Sequence, residues 1–358
     1  MELCSEGPDR DFPLLLEKLR STPELGTESG RTRGSDSISV KERFTIVIPT
    51  KNRKDDLIKC LRSLDQQSWK NFEVLVIDNQ STDGTREAVR NFEVKLLTDS
   101  SDNIARLFNI GWRRANTNII AYLNDDTEVV QQWAETLHKY LSEESGVKAL
   151  GGPAIATHPQ RMYRVYEQSP HSSLLRFVFG LYDKVVMKGK FLKIGEFTEW
   201  GGSSIGGSLY ESTELDQPLF VNGLTGTNLA IRREILEELG GFDEAFQYVH
   251  ADGDLFLRMR KRGYKMVFHP KMILFHHVNQ RGNTRSYYFL GRDFSLLWLK
   301  HSRTMEAGLL SFLHALFMTA YVIIYTSKSI RAFQLKSWLQ GLSAGVRYYL
   351  INRKAMLF

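Results

Sequence analysis

The residues with the clearest chemical potential are Asn124, Asp125 and Asp126. They close the apolar run Asn118 to Leu123 (NIIAYL). A buried strand that ends in adjacent carboxylates carries anionic groups to the edge of a sheet, where open α/β sheets place their ligands. Two acids at one strand tip repel each other unless a cation or hydrogen-bond donors compensate. A hard divalent ion with oxygen ligands is the natural compensator, and such an ion commonly bridges to phosphates. The plainer reading is a polar turn in which Asp126 or Thr127 caps a following helix.

Three further places hold chemistry-bearing groups. Asp78 follows a second apolar run, Phe72 to Ile77, where it is placed to take ribose hydroxyls or a base N–H; as an Asp before Asn it also suits an Asx turn. Asp252 stands just before a helix expected over Asp254 to Arg262, where a helix N-terminus stabilises an anion, although a plain N-cap fits nearly as well. His276 and His277 follow a final strand expected over Met266 to Leu274. The two cysteines, Cys4 and Cys60, form no metal-ligand spacing and no disulfide framework, which points to a reducing compartment.

The elements that must position these groups follow from periodicity. Residues 1–41 read as a flexible leader, with one short helix over Phe12 to Leu19. Phe44 to Pro49 is a β-branched run stopped by proline, then a polar loop with Thr50 and Arg53. Helical spacing recurs in Asp55 to Leu64 and Asn103 to Arg114, with strands at Phe72 to Ile77, Val94 to Leu97 and the run ending at Asn124. Strands alternating with helices predict a parallel, doubly wound sheet. Its strand ends at Pro49, Asp78 and Asp126 then share one edge. No glycine-rich fingerprint follows the first strand, so a dinucleotide is not indicated. Residues 153–216 have weak periodicity, as binding regions and lids often do; they hold Trp200 among clustered glycines.

The chain of 358 residues is 42% hydrophobic and 25% charged, as globular proteins are. Its net charge of +6 is concentrated at one end. From Lys300 onward there are eight basic residues against Glu306 alone, while the rest is near neutral. This argues against a nucleic-acid groove in the main domain and for an anionic membrane surface at the tail. Gly308 to Tyr325 holds no Asp, Glu, Lys or Arg but is at the short edge of what spans a bilayer. Beyond it, Leu335, Trp338, Leu339, Leu342, Val346, Tyr349 and Leu350 recur at helical spacing among basic residues. A single span would set that basic end against the positive-inside rule. A monotopic, peripheral arrangement on the cytoplasmic membrane face is expected instead. The alternative is that these helices pack on the domain or join copies of the chain.

Taken in order, VIPTKNR (47–53), VIDNQSTDGT (76–85), LNDDTEV (123–129), GTNLAIRRE (226–234), LGGFDE (239–244), ADGDLFLRMRKRGYK (251–265) and HHVNQRG (276–282) resemble the family 2 glycosyltransferases. Within these the chain is most similar to a rhamnosyltransferase-like subgroup. The resemblance covers about Phe44 to Arg285. It implies a GT-A fold over residues 42–299, an inverting mechanism, a nucleotide-diphosphate sugar as donor and Mg2+ or Mn2+ as cofactor. It also implies a glycan or lipid-linked acceptor. Asp126 matches the metal-holding carboxylate of the D-x-D motif, and Asn124 stands where the first Asp is usual. By the same resemblance Pro49, Thr50, Arg53, Asp78, Asn124 and Asp125 take the nucleotide. Gly226, Thr227, Asn228 and Trp200 face the sugars. One of His276 and His277 lies near the diphosphate or metal. Asp252 matches the catalytic base of a Glu-Asp pair whose Glu is here Ala251, and Asp254 is the fallback.

Such a base would activate the acceptor hydroxyl while a fixed cation meets the leaving diphosphate. Two other readings compete. A sugar-1-phosphate nucleotidyltransferase would carry a glycine-rich loop and a lysine after the first strand, and VIPTKNR lacks the glycines. A catalytically inactive carbohydrate-binding relative is kept open by Asn124 and Ala251.

Overall fold

The structure is a computed structural model that describes residues 43–143, 146–157, 173–277, 284–325 and 328–356. The expected leader and the part of the histidine motif after His277 lie outside these. The first half alternates: β1 (Phe44–Thr50), α1 (Lys54–Asp65), β2 (Phe72–Asp78), α2 (Thr85–Val89), β3 (Lys95–Thr98), α3 (Ile104–Arg114) and β4 (Ile119–Leu123). Every residue of β1 and β4 is buried, as expected of strands covered on both faces. β1 lies parallel to β2 and β4, and β2 to β3. Asn103 caps α3 by accepting the Arg106 amide at 3.1 Å. Gly111 lets α3 settle on β1, because a Cβ there would stand 2.2 Å from a Val47 methyl.

The second half is less regular. β5 (Thr127–Val129), α4 (Trp133–Glu143), β6 (Val147–Gly151) and β7 (Ala154–Ala156) precede α5 (Ser173–Tyr182), which continues into a π turn at Asp183–Met187. Then come β8 (Leu219–Val221), β9 (Asn228–Arg232), α6 (Arg233–Leu239), α7 (Ala251–Lys261), β10 (Lys265–Phe268) and β11 (Leu274–His276). Helices α8 (Thr284–His301), α9 (Met305–Tyr325) and α10 (Lys328–Met356) end the described chain.

The main sheet has eight strands in the order β3-β2-β1-β4-β9-β6-β10-β8. It is mixed where the alternation predicts a parallel sheet: β9 runs antiparallel to β4 and β6, and β8 to β10. The reversal has a use. It sets Asn228 opposite Leu123, so the loop entering β9 meets the acidic end of β4. The strand expected over Met266 to Leu274 is two strands in different sheets, divided by a turn around His269 and Pro270. β11 joins β5 and β7 in a three-stranded sheet, with His276 opposite Thr127.

Apolar side chains of α1 and α4 cover one face of the main sheet, and those of α3, α6, α7 and α8 the other. A domain boundary at 299 would cut α8, which packs along α10 with the two backbones close: a Cβ on Gly341 would lie 2.0 Å from the Tyr288 carbonyl oxygen. Trp338, assigned from sequence to an interfacial face, is buried between Phe294 and Thr319. No helix among the described residues is long and apolar enough to cross a membrane.

Candidate active site

The edge where β1 and β4 end opens into a cleft of about 990 Å³. Asp125 and Asp126 are both buried at its base. Asp125 Oδ2 accepts the Thr50 hydroxyl at 2.8 Å. Arg53, at the start of α1, donates to Asp126 Oδ2 and stands 3.4 Å from Asp125 Oδ1. Asp126 Oδ1 lies 3.1 Å from His276 Nε2. Burial pushes the Asp125 carboxyl up to about 7, with Arg53 opposing and the Asp126 charge adding to the rise. Burial acts in the same direction on Asp126, but the His276 hydrogen bond and charge, joined by Arg53, hold it below its ordinary value. Asp126 is therefore the one that stays ionised.

The two adjacent histidines separate at the end of β11. His277 turns away to Glu128 Oε1 at 2.7 Å and Thr157 Oγ1 at 3.1 Å, while His276 lines the cleft. Among the described residues no three His, Cys, Asp or Glu side chains form a metal cage. Asp126 and His276 still bring one oxygen and one nitrogen donor to a single point. That set fits a divalent cation which completes its shell with substrate phosphates and water.

Asp252, which also lines the cleft, sits in the first turn of α7. Its Oδ2 accepts the Gly226 amide at 2.9 Å and its Oδ1 the Gly253 amide at 2.8 Å. Burial pushes its carboxyl upward while those amides resist. The loop before β9 thus holds the carboxylate in place. Thr227 and Asn124 line the cleft, their side chains 3.5 Å apart.

Other expected site residues stand elsewhere. Asp254 is fully buried and does not line the cleft. It meets Arg258 Nε at 2.7 Å, Lys300 Nζ at 2.7 Å and His301 Nε2 at 2.8 Å, which ties α7 to α8. Burial favours its neutral form, yet the Arg258 charge, the His301 hydrogen bond and the Lys300 charge hold it far below the carboxylate range. Asp78 is buried against Arg86 Nε at 2.6 Å and the Ser81 amide, and it is Asn79 that reaches the cleft. The Asn228 side chain bolts Trp133, Pro153 and Met272 together. Trp200 donates to the Val186 carbonyl at 2.9 Å, outside the cleft.

Two residues were not singled out from the sequence. Asp293 of α8 accepts the amides of Gln247, Tyr248 and Val249 at 3.1, 2.8 and 3.1 Å, and Arg292 donates to its other oxygen at 2.6 Å. This clamp holds the loop that leads into α7. Its only sequence signal is an Arg-Asp pair inside an otherwise apolar helix, YYFLGRDFSLLWL. His250, between the clamp and α7, also lines the cleft.

Residues 45–240, more than half of the chain, match the model of Glycosyl transferase family 2. The chain is 22% identical over 201 residues to glycosyltransferase GlyA of Streptococcus pneumoniae serotype 4, covering 55% of this chain and 28% of that protein. It is 25% identical over 269 residues to the amylovoran biosynthesis glycosyltransferase AmsB of Erwinia amylovora, covering 72% and 76%. It spans less than half the length of several curated relatives that it matches. Among solved structures, the mannosyltransferase PcManGT from Pyrobaculum calidifontis in complex with GDP-Man and Mn2+ superposes with a TM-score of 0.51 at 18% identity, over 98% of this chain and 88% of that one. That likeness is one of fold, the GT-A fold. With an α/β sheet of this order and a family match over residues 45–240, the chain belongs to the family 2 glycosyltransferases.

Proposed function

We propose that the enzyme moves a sugar from a nucleotide-diphosphate donor to a hydroxyl of a glycan or lipid-linked acceptor, with inversion at the anomeric carbon. The observation that carries this reading is one cleft lined by Asp126, His276 and Asp252 together. Asp126 and His276 would hold Mg2+ or Mn2+, which supplies positive charge to the leaving diphosphate when bound. Arg53 adds a planar cation suited to phosphate oxygens once it turns from Asp126. Thr50 keeps Asp125 hydrogen-bonded at the floor of the cleft.

Asp252 is the general base. Its carboxylate oxygens each accept one backbone amide and keep a second lone pair for the acceptor hydroxyl. A single carboxylate on the acceptor side supports one in-line displacement. The loop after β1, Lys51-Asn52-Arg53, holds no glycine-rich phosphate cradle, which favours transfer over nucleotidyl chemistry.

We place the enzyme on the cytoplasmic face of the membrane, peripheral or monotopic. Met305, Leu309, Phe312 and Leu316 form an exposed apolar stripe on α9, and α10 holds basic residues and no acid. The test of the transfer reading is a panel of UDP-, GDP- and dTDP-sugars, dTDP-rhamnose included, with and without chelator. Nucleoside diphosphate release that needs a divalent ion is expected; release of pyrophosphate from sugar 1-phosphate and a nucleoside triphosphate would overturn it.

A further inference from the structure

His250 is the single residue between the amides clamped by Asp293 and the start of α7, and it adopts a left-handed conformation with φ of 63°. Its carbonyl accepts the Asp254 amide at 2.8 Å and so starts the helix that carries Asp252. Glycine adopts this conformation freely, and most other side chains are disfavoured in it. A histidine here therefore puts a side chain at the cleft where backbone geometry asks for none.

The ring sits between two aromatic side chains, 6.3 Å from the centroids of both Phe197 and Phe294. Neither imidazole nitrogen has a hydrogen-bond partner among the described residues, and neither is sealed off as the orphaned Tyr122 hydroxyl and Gln334 amide are. Burial lowers its pKa to about 4. At neutral pH the ring thus offers one N–H donor and one nitrogen acceptor, the complement of a hydroxyl group. The same cleft presents Ser203, bridged to Phe197, with Ser204, Tyr210 and Tyr248, all uncharged and hydroxyl-bearing.

We propose that His250 is a substrate-contacting residue that binds a hydroxyl of an uncharged saccharide acceptor beside Asp252. The proposal rests on the glycosyl-transfer reading above and adds a residue and an acceptor class to it. Asp252 would take the proton of the reacting hydroxyl, while His250 selects the hydroxyl-rich ring that presents it.

The test uses the full chain, the sugar nucleotide that the wild type hydrolyses, and a panel of octyl glycosides as acceptors. His250→Gly suits the left-handed backbone, so its melting temperature should hold or rise. Its donor hydrolysis and donor affinity should match wild type, while the KM for the glycoside rises about 10-fold or more, the scale of one lost hydrogen bond in a site built for it. His250→Asn tolerates the conformation and carries both a donor and an acceptor, so it should recover most of the transfer. Wild-type acceptor kinetics in His250→Gly would overturn the proposal, as would equal loss of donor hydrolysis and transfer. A wild-type chain that releases no nucleoside diphosphate from any sugar nucleotide, with or without the glycoside acceptors, would overturn the transfer reading itself, and that failure shows before any variant is made.

Discussion

Asp126 and Asp252, proposed as metal holder and base, sit among different partners. Asp126 is held ionised by His276 and Arg53, whereas Asp252 among the described residues is met only by backbone amides and is pushed toward its neutral form by burial. Asp126→Ala should abolish transfer and remove the dependence of donor binding on Mn2+, measured by calorimetry with and without the ion. Transfer near the wild-type rate would end the metal assignment. Asp252→Asn should lower kcat by about 100-fold, the scale of a lost general base, with donor affinity little changed. A base must be deprotonated to act. The wild-type rate should therefore fall as pH falls, with a midpoint above the ordinary Asp value because burial raises this carboxyl. A pH profile flat down to the ordinary carboxylate range would contradict this role.

At the scale of elements, the decisive contacts join α7 to α8. Asp254 binds Arg258 within α7 and both Lys300 and His301 of α8. Asp254→Asn leaves Arg258 and Lys300 without their counter-charge, and breaking a buried pair from one side costs roughly 3–5 kcal/mol. Its main effect should be a lower unfolding midpoint, with donor affinity retained at temperatures where the variant stays folded. The sign with pH is definite. The folded-state pKa of Asp254 lies below its unfolded value, so its contribution is complete above the unfolded value and drains away as pH falls toward the folded one. The wild type should thus lose its stability advantage over Asp254→Asn in acid, which urea unfolding at a series of pH values would show. An unchanged advantage at low pH would mean the knot is not electrostatic.

The whole molecule presents two unlike surfaces, the cleft and the tail. The outward face of α9 is apolar, and Lys336, Arg347, Arg353 and Lys354 lie on α10 beside exposed Phe333, Leu339 and Leu350. Basic residues next to anionic lipid strengthen attachment, and salt weakens it. The full chain should float with vesicles containing phosphatidylglycerol and far less with phosphatidylcholine alone. Lys336→Glu with Arg347→Glu should reduce the floated fraction several-fold without changing donor turnover. A full chain that stays unbound to both vesicles at low salt would remove the membrane proposal, and a concentration-dependent dimer in its place would assign the stripe to a second copy.

The chain order of strands, helices and acids was legible because local patterns produce it. An apolar run closed by Asn124-Asp125-Asp126 must end at a strand tip whatever surrounds it. The strand at Phe44 and the helix near Asp252 were legible too, but not their bounds: β1 runs through Pro49 to Thr50, and α7 starts at Ala251 and so takes in Asp252. Long-range pairing was not legible in this way. The antiparallel insertion of β9, the split of β10 from β11 and the parting of His276 from His277 depend on which strand lies alongside, and periodicity is blind to neighbours distant in sequence. Asp78 and Asp254 each lie near an element's end, where an acid looks the same in sequence whether it faces a cleft or an arginine. Only the tertiary structure brought Arg86 to one and Lys300 and His301 to the other. For the same reason it alone showed Asp293, which lies 44 to 46 residues beyond the loop it holds, gathering three amides ahead of His250. Sequence determined which groups the chain owns and which element each one ends; packing decided which of them meet.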